Sequence, residues 1–480
     1  MDFLRGKKVL LVGLGILGGG LATANFIVKN GAKLTITDFK TKKELKNTIK
    51  KIKNFSKIKF VLGRHNKEDF KGVDLIIFNP AVPFKSPWIT LAKKYNKDIE
   101  NDFTLFLRLL KKKIGKFKYI GITGTRGKTT TTTWVSKLIP NAVLGGNIPE
   151  RALFKIINKN GNYVLELSSA QLEFTNKKTL APHIAVITNI YNDHLNRYKL
   201  FKHYIDTKAL IFKNQAKDDY LVLNRDSKYY SYFLKKKPKA KIFYISLNKL
   251  PKRENGLFFT GNKITFQNKE KIFEVAKINE QISLHHKSNL LAAILTAYLW
   301  GESWQNILRK IKILPQIPFR QETVFEGKKI KIINDSAATS PDATIAAIDC
   351  FRNEKKLILI SGGTDKNLDF RELAIKIKKT IRPKNLFLLD GSATKKLIDY
   401  LTKNGYYSGW NDIKTYSSLG EIFKNLSIKN CKDFVLLFSP ASASFEKFKN
   451  EFDRGRQFNK LVKKYIKIWK NHHKLSKMLL

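Results

Sequence analysis

The chain contains 480 residues, of which 43% are hydrophobic, and its 91 basic and 39 acidic residues give a formal net charge of +52. This length predicts about three domains at roughly 150 residues each. No apolar run approaches the ~18–20 residues of a membrane span, two cysteines exclude a disulfide framework, and the first residues lack a signal-peptide cleavage site. We therefore expect a cytoplasmic globular protein without stable membrane insertion.

The positive charge is carried mainly by lysine. Only 15 of the 91 basic residues are arginine, and the lysines are distributed along the whole chain. A nucleic-acid-binding protein would concentrate its basic residues on one segment or face. We therefore expect no nucleic-acid partner, although a non-catalytic nucleotide- or nucleic-acid-binding protein remains an alternative. A basic surface would still attract acidic substrates such as nucleotides.

The first hundred residues alternate strand and helix patterns, which predicts a parallel sheet with helices on its faces. The predicted strands are Val9–Val12, Lys33–Thr37 and Leu75–Phe78, and the helical pattern is Ile16–Lys29. The first strand leads into a G-x-G-x-x-G loop at residues 13–18, and Asp38 ends the second strand. This spacing predicts a site for a nucleotide diphosphate. An NAD-dependent dehydrogenase is the alternative that this loop alone would favour.

Residues 121–133 read GITGTRGKTTTTT and predict a phosphate-binding loop between a strand and a helix. Its glycines and the small Thr125 would let backbone N–H groups surround phosphate oxygens. Lys128 would reach the β- and γ-phosphates, and the hydroxyl of Thr129 would ligate Mg²⁺. Ile122 stands where a Walker A motif has its first glycine, so the loop is the T-G-T-x-G-K-T variant. The loop predicts that the protein binds and consumes ATP.

Two strand ends in the central third of the chain carry candidate metal ligands. The apolar runs are Tyr163–Leu167 and Ala185–Thr188. A carboxylate such as Glu166 at a strand's carboxyl end is well placed for Mg²⁺, and His194 follows the next run. The alternative for the first segment is a helix N-cap formed by Ser168 or Ser169, and both interpretations can hold together. By physical reasoning alone, Lys208 is an ordinary helix lysine.

The last third of the chain repeats the strand-and-helix pattern. Its apolar runs are Leu357–Ile360, Leu386–Leu389 and Phe434–Phe438, and the polar loops are residues 334–339, 362–366 and 439–444. These loops supply hydroxyls, a carboxylate and a cation on one rim, which suits an anionic amino acid and an adenosine. Val462, Tyr465, Ile466 and Trp469 recur at helical spacing. This amphipathic helix either packs on the last domain or binds an anionic membrane surface.

Taken in chain order, these motifs resemble the Mur ligases of peptidoglycan synthesis. The resemblance covers nearly the whole chain, from GLGILG to SPASASFEKFKNEFDRG. The T-G-T-x-G-K-T loop alone would also admit folylpolyglutamate and poly-γ-glutamate synthases. The glycine-rich first domain, E-L-S-S-x-Q-L-E and S-P-A-x-A-S-F narrow the resemblance to the members that add glutamate to UDP-N-acetylmuramoyl-L-alanine. The resemblance implies an α/β protein of three domains: a Rossmann-like domain at 1–101, a P-loop ATPase-type domain at 102–316, and a Rossmann-like domain at 317–480.

The resemblance also implies an ADP-forming ligase that uses ATP and two Mg²⁺ ions, forms an acyl phosphate and acts as a monomer. Residues implied to bind the UDP substrate are Gly15, Ile16, Leu17, Gly18, Asp38, Asn79, Pro80, Ala81, Asn147, Ser168 and Gln171. Those for ATP are Gly124, Thr125, Arg126, Gly127, Lys128, Thr129, Thr130, Asn289, Arg320 and Asp335. The implied metal ligands are Thr129, Glu166, His194 and a carbamylated Lys208. The implied catalytic residues are Lys128, His194 and Lys208. The residues implied to bind the incoming glutamate are Thr339, Lys366 and Ser444.

The chain departs from the family pattern at several positions. It has His285-His286 where the family often has H-N, Phe319 before Arg320 where the family has H-R, and Ala337 where the family has lysine. Phe452 is displaced by one position after F-K-N. These changes fall in the motifs implied for glutamate and adenosine. They leave D-glutamate, L-glutamate or another amino acid open as the added group.

Overall fold

The computed structural model describes residues 3–16, 18–54, 56, 58–191, 197–198, 200–269, 271–278, 284–352, 356–409, 413–426 and 433–471. The chain forms two compact units, Met1–Leu314 and Pro315–Leu480. The first unit contains two sheets and the second contains one.

The first sheet is entirely parallel, with strand order β3-β2-β1-β4-β5. Its elements are β1 (Lys8–Val12), α1 (Gly19–Lys29), β2 (Lys33–Asp38), α2 (Lys42–Ile49), β3 (Ile58–Leu62), β4 (Leu75–Phe78), α3 (Pro87–Lys94), β5 (Asp98–Asn101) and α4 (Asp102–Ile114). The predicted parallel sheet is confirmed. Helix α1 begins three residues later than predicted because Gly18 has φ +97°, a left-handed conformation that ends the glycine loop before the first helical turn.

The second sheet has the order β14-β13-β12-β11-β10-β9-β6-β8-β7. The elements of its first half are β6 (Tyr119–Thr123), α5 (Lys128–Leu138), β7 (Ala142–Gly146), α6 (Leu153–Ile156), β8 (Asn162–Glu166), α7 (Ser169–Leu172), β9 (Ile184–Ile187) and α8 (Phe201–Ala209). The second half comprises β10 (Tyr220–Asn224), α9 (Tyr230–Leu234), β11 (Lys241–Ser246), β12 (Gly256–Thr260), β13 (Lys263–Gln267), β14 (Ile272–Lys277), α10 (Leu284–Trp300) and α11 (Trp304–Ile311). Only the β12–β13 and β13–β14 pairings are antiparallel among the described strands.

One hydrophobic cluster joins the first two sheets. It contains Val9 and Leu11 of β1 together with Tyr163 and Leu165 of β8. Phe26 of α1 stacks on Phe154 of α6, with ring centroids 4.6 Å apart. This shared core explains why both sheets fall into one compact unit. The predicted boundary at residues 101 and 102 coincides with the junction of β5 and α4, and the division into three domains stays a prediction.

The third sheet has the order β15-β16-β20-β17-β18-β19, and β15–β16 is the only antiparallel pairing among its described strands. Its elements are β15 (Glu322–Glu326), β16 (Ile330–Asn334), α12 (Pro341–Phe351), β17 (Lys356–Ser361), α13 (Arg371–Thr380), β18 (Leu386–Leu389), α14 (Ser392–Lys403), β19 (Thr415–Tyr416), α15 (Leu419–Asn425), β20 (Phe434–Phe438) and α16 (Glu451–Asn471). Alternate residues of β20 enter opposite clusters, with Val435 and Leu437 on one face and Leu436 on the other. Both faces are therefore buried, as parallel sheets require.

Helix α16 packs its apolar face onto this third sheet. Phe458 and Val462 are fully buried, and Tyr465 and Ile466 pack against the same cluster. The face that could have bound a membrane is therefore used within the fold, and the side chain of Trp469 lies outside the described residues. Among the described helices, none has the length and hydropathy needed to cross a bilayer.

Candidate nucleotide and ligase site

The phosphate loop lies between β6 and α5, and its two glycines are sterically required. Gly124 and Gly127 have φ +141° and +76°. A Cβ on Gly124 would lie 2.0 Å from Oγ1 of Thr188, and one on Gly127 would lie 2.1 Å from Oδ1 of Asn289. Gly127 immediately precedes α5, so the loop delivers its N–H groups at the positive end of an 11-residue helix. The structure therefore confirms the predicted strand–loop–helix arrangement.

The end of strand β9 braces this loop. The backbone N–H of Thr125 donates to the carbonyl of Asn189 at 2.9 Å, and that of Arg126 donates to Oδ1 of Asn189 at 2.8 Å. The hydroxyl of Thr188 donates to the carbonyl of Arg126 at 2.6 Å. These bonds hold the loop in one conformation, so that phosphate binding does not have to order it.

The end of strand β8 contributes the predicted carboxylate. Strands β8 and β9 pair on either side of β6, and Glu166 is in register with Ile122 of β6. The hydroxyl of Thr129 donates to Oε2 of Glu166 at 2.7 Å, and Nδ2 of Asn147 donates to Oε1 at 3.1 Å. Ser168 is the N-cap of α7, which confirms the alternative interpretation of this segment, and metal binding by Glu166 stays a prediction. The hydroxyl and carboxylate place two hard oxygen donors beside the phosphate loop.

This donor set fits Mg²⁺. Among the described residues, no three His, Cys, Asp or Glu side chains lie together as metal ligands. Mg²⁺ commonly binds one or two carboxylates and completes its octahedron with phosphate oxygens and water, so one carboxylate and one hydroxyl suffice here. The predicted ligand His194 lies outside the described residues.

Two lysines lie near the loop in different environments. Nζ of Lys128 is 3.0 Å from the carbonyl oxygens of both Gly124 and Thr125, so its ammonium group lies over the loop. Lys208 is only 2% exposed, and its Nζ donates to the hydroxyl of Thr123 at 3.2 Å and lies 4.9 Å from the ring centroid of Tyr204. Lys208 is thus buried beneath the loop and is not the surface helix lysine that sequence alone suggests.

A cavity of about 540 Å³ opens beside the loop. Its lining includes Arg126, Gly127, Asn189, Asn224, Ser288 and Asn289. A volume of this size suits a nucleoside, because ligand pockets commonly range over ~300–1,000 Å³. The structure therefore brings Asn289 to the loop, as predicted for an ATP contact.

In the first sheet, Asp38 holds the glycine loop. One carboxylate oxygen accepts the backbone N–H groups of Leu14 and Gly15 at 2.9 and 3.0 Å, and the other accepts that of Lys40 at 2.9 Å. Asn79 follows β4, and its Oδ1 accepts the N–H of Ala81 at 2.9 Å. Gly15, Ile16, Gly18, Asp38, Asn79, Pro80 and Ala81 thus meet at the carboxyl edge of this sheet, and Leu17 lies outside the described residues. Their contact with a UDP group stays a prediction.

The segment before and within α7 is tightly hydrogen-bonded. Oε1 of Gln171 accepts the N–H and hydroxyl of Ser168, both at 3.1 Å, and Nε2 donates to Asp102 at 3.1 Å. Burial raises the pKa of Asp102 to about 6. Sequence reasoning missed Asp102, because its partner lies 69 residues away and no local motif marks it.

In the second unit, the three predicted polar loops follow the neighbouring strands β16, β20 and β17. The hydroxyl of Ser439 donates to Asp335 at 2.9 Å, and Nζ of Lys366 donates to the hydroxyl of Thr339 at 3.3 Å. The hydroxyl of Ser444 is buried and has no hydrogen-bond partner among the described residues. Burial raises the pKa of Asp335 to about 7. The structure therefore brings the three predicted loops, with Asp335, Thr339, Lys366 and Ser444, to one rim.

Arg454 of α16 is fully buried behind this rim and was not predicted. Its guanidinium donates to the carbonyls of Ser336, Ser442 and Ala443 at 2.8–3.0 Å. Burial lowers its pKa to about 10, and the charges of Glu451 and Asp335 oppose that change. Every residue has a backbone carbonyl, so the sequence does not mark the partners of Arg454. Only the D-R-G segment itself could have drawn attention to this arginine.

The departures from the family pattern at Phe319, Ala337 and Phe452 lie together. The N–H of Ala337 donates to the carbonyl of Phe319 at 2.9 Å, and the rings of Phe319 and Phe452 are 6.3 Å apart. A Cβ on Gly455 would lie 2.3 Å from the Phe319 ring, so that ring covers the glycine. The three substitutions therefore form one local repacking beside Asp335.

The fold and the phosphate loop define a multidomain α/β nucleotide-binding enzyme, and comparisons with known proteins define its family. Residues 7–100 match the family described as "Mur ligase MurD-like, N-terminal domain", and residues 122–297 match "Mur ligase middle domain". A UDP-N-acetylmuramoylalanine–D-glutamate ligase from Borreliella afzelii (strain PKo) is 36% identical over 471 residues, covering 96% of this chain and 99% of the relative. The ligase of the same name from Clostridioides difficile (strain 630) is 35% identical, with 95% and 98% covered.

Solved structures of similar fold agree with this assignment. The UDP-N-acetylmuramate-alanine ligase MurC of Thermotoga maritima matches with a TM-score of 0.58 at 20% identity, covering 96% of this chain and 99% of its own. The MurF ligase of the same organism, solved in complex with ADP, matches with a TM-score of 0.55 at 16% identity and covers 96% of each chain. The chain belongs to the Mur ligase family, and the predicted resemblance and fold class are confirmed.

Proposed function

We propose that the protein joins D-glutamate to UDP-N-acetylmuramoyl-L-alanine in peptidoglycan precursor synthesis, with conversion of ATP to ADP and phosphate. The observation that carries the proposal is the full-length similarity to relatives of that name, in a chain whose phosphate loop lies against a carboxylate. The substrate carboxylate attacks the γ-phosphorus and expels ADP, which gives an acyl phosphate. The amino group of glutamate then attacks the acyl carbon, forms the amide bond with loss of a proton, and releases phosphate.

Lys128, Thr129 and Glu166 act on the triphosphate. Lys128 places a positive charge at the loop, where negative charge is redistributed as the phosphoryl group moves. Thr129 and Glu166 hold Mg²⁺, which when bound would neutralise phosphate charge. His194 and a carbamylated Lys208 complete a second Mg²⁺ site, as the family resemblance implies. Burial of Lys208 favours its neutral amine over the ammonium form, and the neutral amine is the form that reacts with CO₂; a bound Mg²⁺ would offset the charge of the resulting carbamate.

The UDP part of the substrate binds at the glycine loop, Asp38 and the turn that begins at Asn79. Asn147, Ser168 and Gln171 contact the muramoyl part. The hydrogen bond from Asn147 to Glu166 fixes the Asn147 amide beside the phosphate loop, and the bond from Gln171 to Asp102 fixes the Gln171 amide. Both bonds support this arrangement, because they preorganise polar groups for the substrate. The alternative, an NAD-dependent dehydrogenase, would leave the phosphate loop and the carboxylate of Glu166 without a role.

In the second unit, Lys366, Thr339 and Ser444 bind the two carboxylates of glutamate. The contact between Lys366 and Thr339 and the buried hydroxyl of Ser444 support this role. Arg320 and Asp335 contact the nucleotide. We expect D-glutamate to be preferred over L-glutamate, since the relatives' names specify the D form. We also propose a monomeric enzyme that works in the cytoplasm.

The proposal is tested by measuring phosphate release from ATP with UDP-N-acetylmuramoyl-L-alanine and a panel of amino acids. The panel contains D-glutamate, L-glutamate, D-alanine and meso-diaminopimelate. We expect release that requires both the UDP substrate and D-glutamate, with weaker release for L-glutamate. Preferred turnover with a neutral or dibasic amino acid would assign the chain a different reaction within the family. Sedimentation of the active protein tests the monomer.

A further inference from the structure

Arg197 and Glu173 form a largely buried ion pair that also binds backbone of the first sheet. Nε of Arg197 donates to Oε1 of Glu173 at 2.9 Å, and Nη2 donates to Oε2 at 2.6 Å. Nη1 and Nη2 further donate to the carbonyls of Ala81 and Val82 at 3.2 and 3.1 Å. The N–H of Phe84 donates to Oε2 of Glu173 at 3.2 Å. The two charged side chains are 14% and 8% exposed.

The partners come from different sheets. Ala81, Val82 and Phe84 belong to the turn after β4 of the first sheet, whereas Glu173 directly follows α7 of the second. An aromatic contact lies beside the ion pair, because the rings of Phe84 and Phe174 are 5.1 Å apart and meet edge to face. Phe174 is buried in the cluster on the outer face of the first sheet. Polar and apolar contacts therefore fix the same junction.

Arginine suits this position better than lysine. Its planar fork binds both carboxylate oxygens and both carbonyls in a single orientation, which a lysine ammonium cannot reproduce. Burial alone would lower the pKa of Arg197, but the hydrogen bond and charge of Glu173 raise it above its ordinary value. Replacing a buried ion pair by apolar residues is often neutral or even stabilising, so stability alone does not account for this pair. The pair is thus better suited to setting a distance than to adding stability.

Each side of this junction carries residues of the UDP-substrate site. On one side, Asn79 and Pro80 precede the clamped carbonyls, and Ala81 supplies one of them. On the other side, Ser168 and Gln171 precede Glu173. We propose that Glu173 and Arg197 are positioning residues that fix the separation between the two halves of the UDP-substrate site. They thereby place the muramoyl-alanine carboxylate against the phosphate loop. This inference rests on the proposed function and adds the residues that set the geometry of its substrate site.

The test uses the full-length variants Arg197→Lys, Glu173→Gln and the double variant in steady-state kinetics. We expect the KM for UDP-N-acetylmuramoyl-L-alanine to rise roughly ten- to a hundredfold, since small misplacements of bound groups cost about this much. The KM values for ATP and D-glutamate should change by less than about twofold, because the phosphate loop keeps its own bracing bonds to Asn189. Calorimetric affinity for the UDP substrate without ATP should fall in parallel. The double variant should lose no more than the worse single variant, because both changes break one unit.

Arg225→Lys is the matched control. Arg225 forms a similar two-pronged bond with Glu254 in the same unit, at 3.1 and 2.9 Å, with side chains 28% and 21% exposed. This variant should retain the wild-type KM for all three substrates. Thermal unfolding of each variant separates lost geometry from lost folding, and Glu173→Gln keeps the side-chain shape should Arg197→Lys fold poorly.

The outcomes separate the inference from the proposed function. An active wild-type enzyme whose KM for the UDP substrate is unchanged in both single variants would overturn the positioning role alone. KM values that rise equally for all three substrates, and by as much as in Arg225→Lys, would show that the pair is only a structural contact. That result would also overturn the positioning role. A wild-type protein without phosphate release that depends on the UDP substrate would contradict the proposed function itself.

Discussion

The hydroxyl of Thr129 and the carboxylate of Glu166 lie 2.7 Å apart, although 37 residues separate them in the chain. This proximity follows from sheet topology, because β8 pairs directly with β6 and Glu166 is in register with Ile122. The carboxyl end of β8 therefore faces the first turn of α5. Two oxygen donors meet there at the predicted position of the ATP phosphates.

Glu166→Gln should weaken the use of Mg²⁺ while leaving the loop folded. The amide keeps one oxygen but loses the negative charge that favours a divalent cation. Loss of this charge should raise the Mg²⁺ concentration for half-maximal phosphate release by about ten- to a hundredfold, a range typical of disturbed metal sites. Thr133→Ala, on the same helix, is the control and should behave as wild type. An unchanged Mg²⁺ dependence would remove Glu166 from the metal site.

Lys208→Ala should be nearly inactive, because it removes the group that we propose to carry a carbamate. The ammonium group first loses a proton, and the neutral amine then reacts with CO₂ and releases a second proton, so that a cation becomes an anion. Small carboxylates such as acetate should enter the vacated space and restore part of the activity. Phosphate release with and without acetate measures this effect. A fully active Lys208→Ala enzyme would show that the buried lysine serves packing only.

Lys366 and Ser444 should contribute unequally to glutamate binding. A charge-assisted hydrogen bond is worth ~1.5–3 kcal/mol, so Lys366→Ala should lower glutamate affinity by about one to two powers of ten. Ser444→Ala removes a neutral donor and should cost less, mainly in discrimination for the side-chain carboxylate. Competition among the panel amino acids measures both effects. A larger loss of glutamate affinity for Ser444→Ala than for Lys366→Ala would contradict the assignment of Lys366 as the cation that binds a glutamate carboxylate.

Asp335 should make the stability of the protein depend on pH. Burial raises its folded-state pKa from 3.8 to about 7, so the folded state keeps a proton that the unfolded state has lost between these values. Its contribution therefore falls as pH rises from 4 to 7. At ~1.4 kcal/mol for each of about three pKa units, the full penalty above pH 7 is on the order of 4 kcal/mol.

Asp335→Asn removes this titration and should gain stability relative to wild type as pH rises from 5 to 8. Urea unfolding at a series of pH values measures the difference. Asp369→Asn is the control, because hydrogen bonds from Arg371 lower the pKa of Asp369, so this variant should show no such gain. A stability difference between wild type and Asp335→Asn that stays constant across this range would exclude the raised pKa.

The sequence predicted the loops of the site better than the contacts that support them. Thr129 and Glu166 were predictable because phosphate loops and strand ends follow local patterns, whereas Asn289 was named only through the family resemblance. Arg454 was not predictable, because its partners are largely backbone carbonyls that any residue can supply. Arg197 was not, because it divides its bonds between two such carbonyls and Glu173, which lies 24 residues away. The start of α1 was missed for a local reason, since the left-handed Gly18 delays the helix. The two possible roles of the last helix could be separated only by seeing which core its apolar face enters.

The central claim is that ATP activates the carboxylate of UDP-N-acetylmuramoyl-L-alanine as an acyl phosphate. The most direct measurement supplies this substrate with ¹⁸O in its carboxylate, together with ATP, Mg²⁺ and D-glutamate, and analyses the released phosphate by mass spectrometry. The acyl-phosphate mechanism predicts one ¹⁸O atom in each phosphate formed with amide product, and neither phosphate nor product from Lys128→Ala. Amide product accompanied by unlabelled phosphate would contradict it.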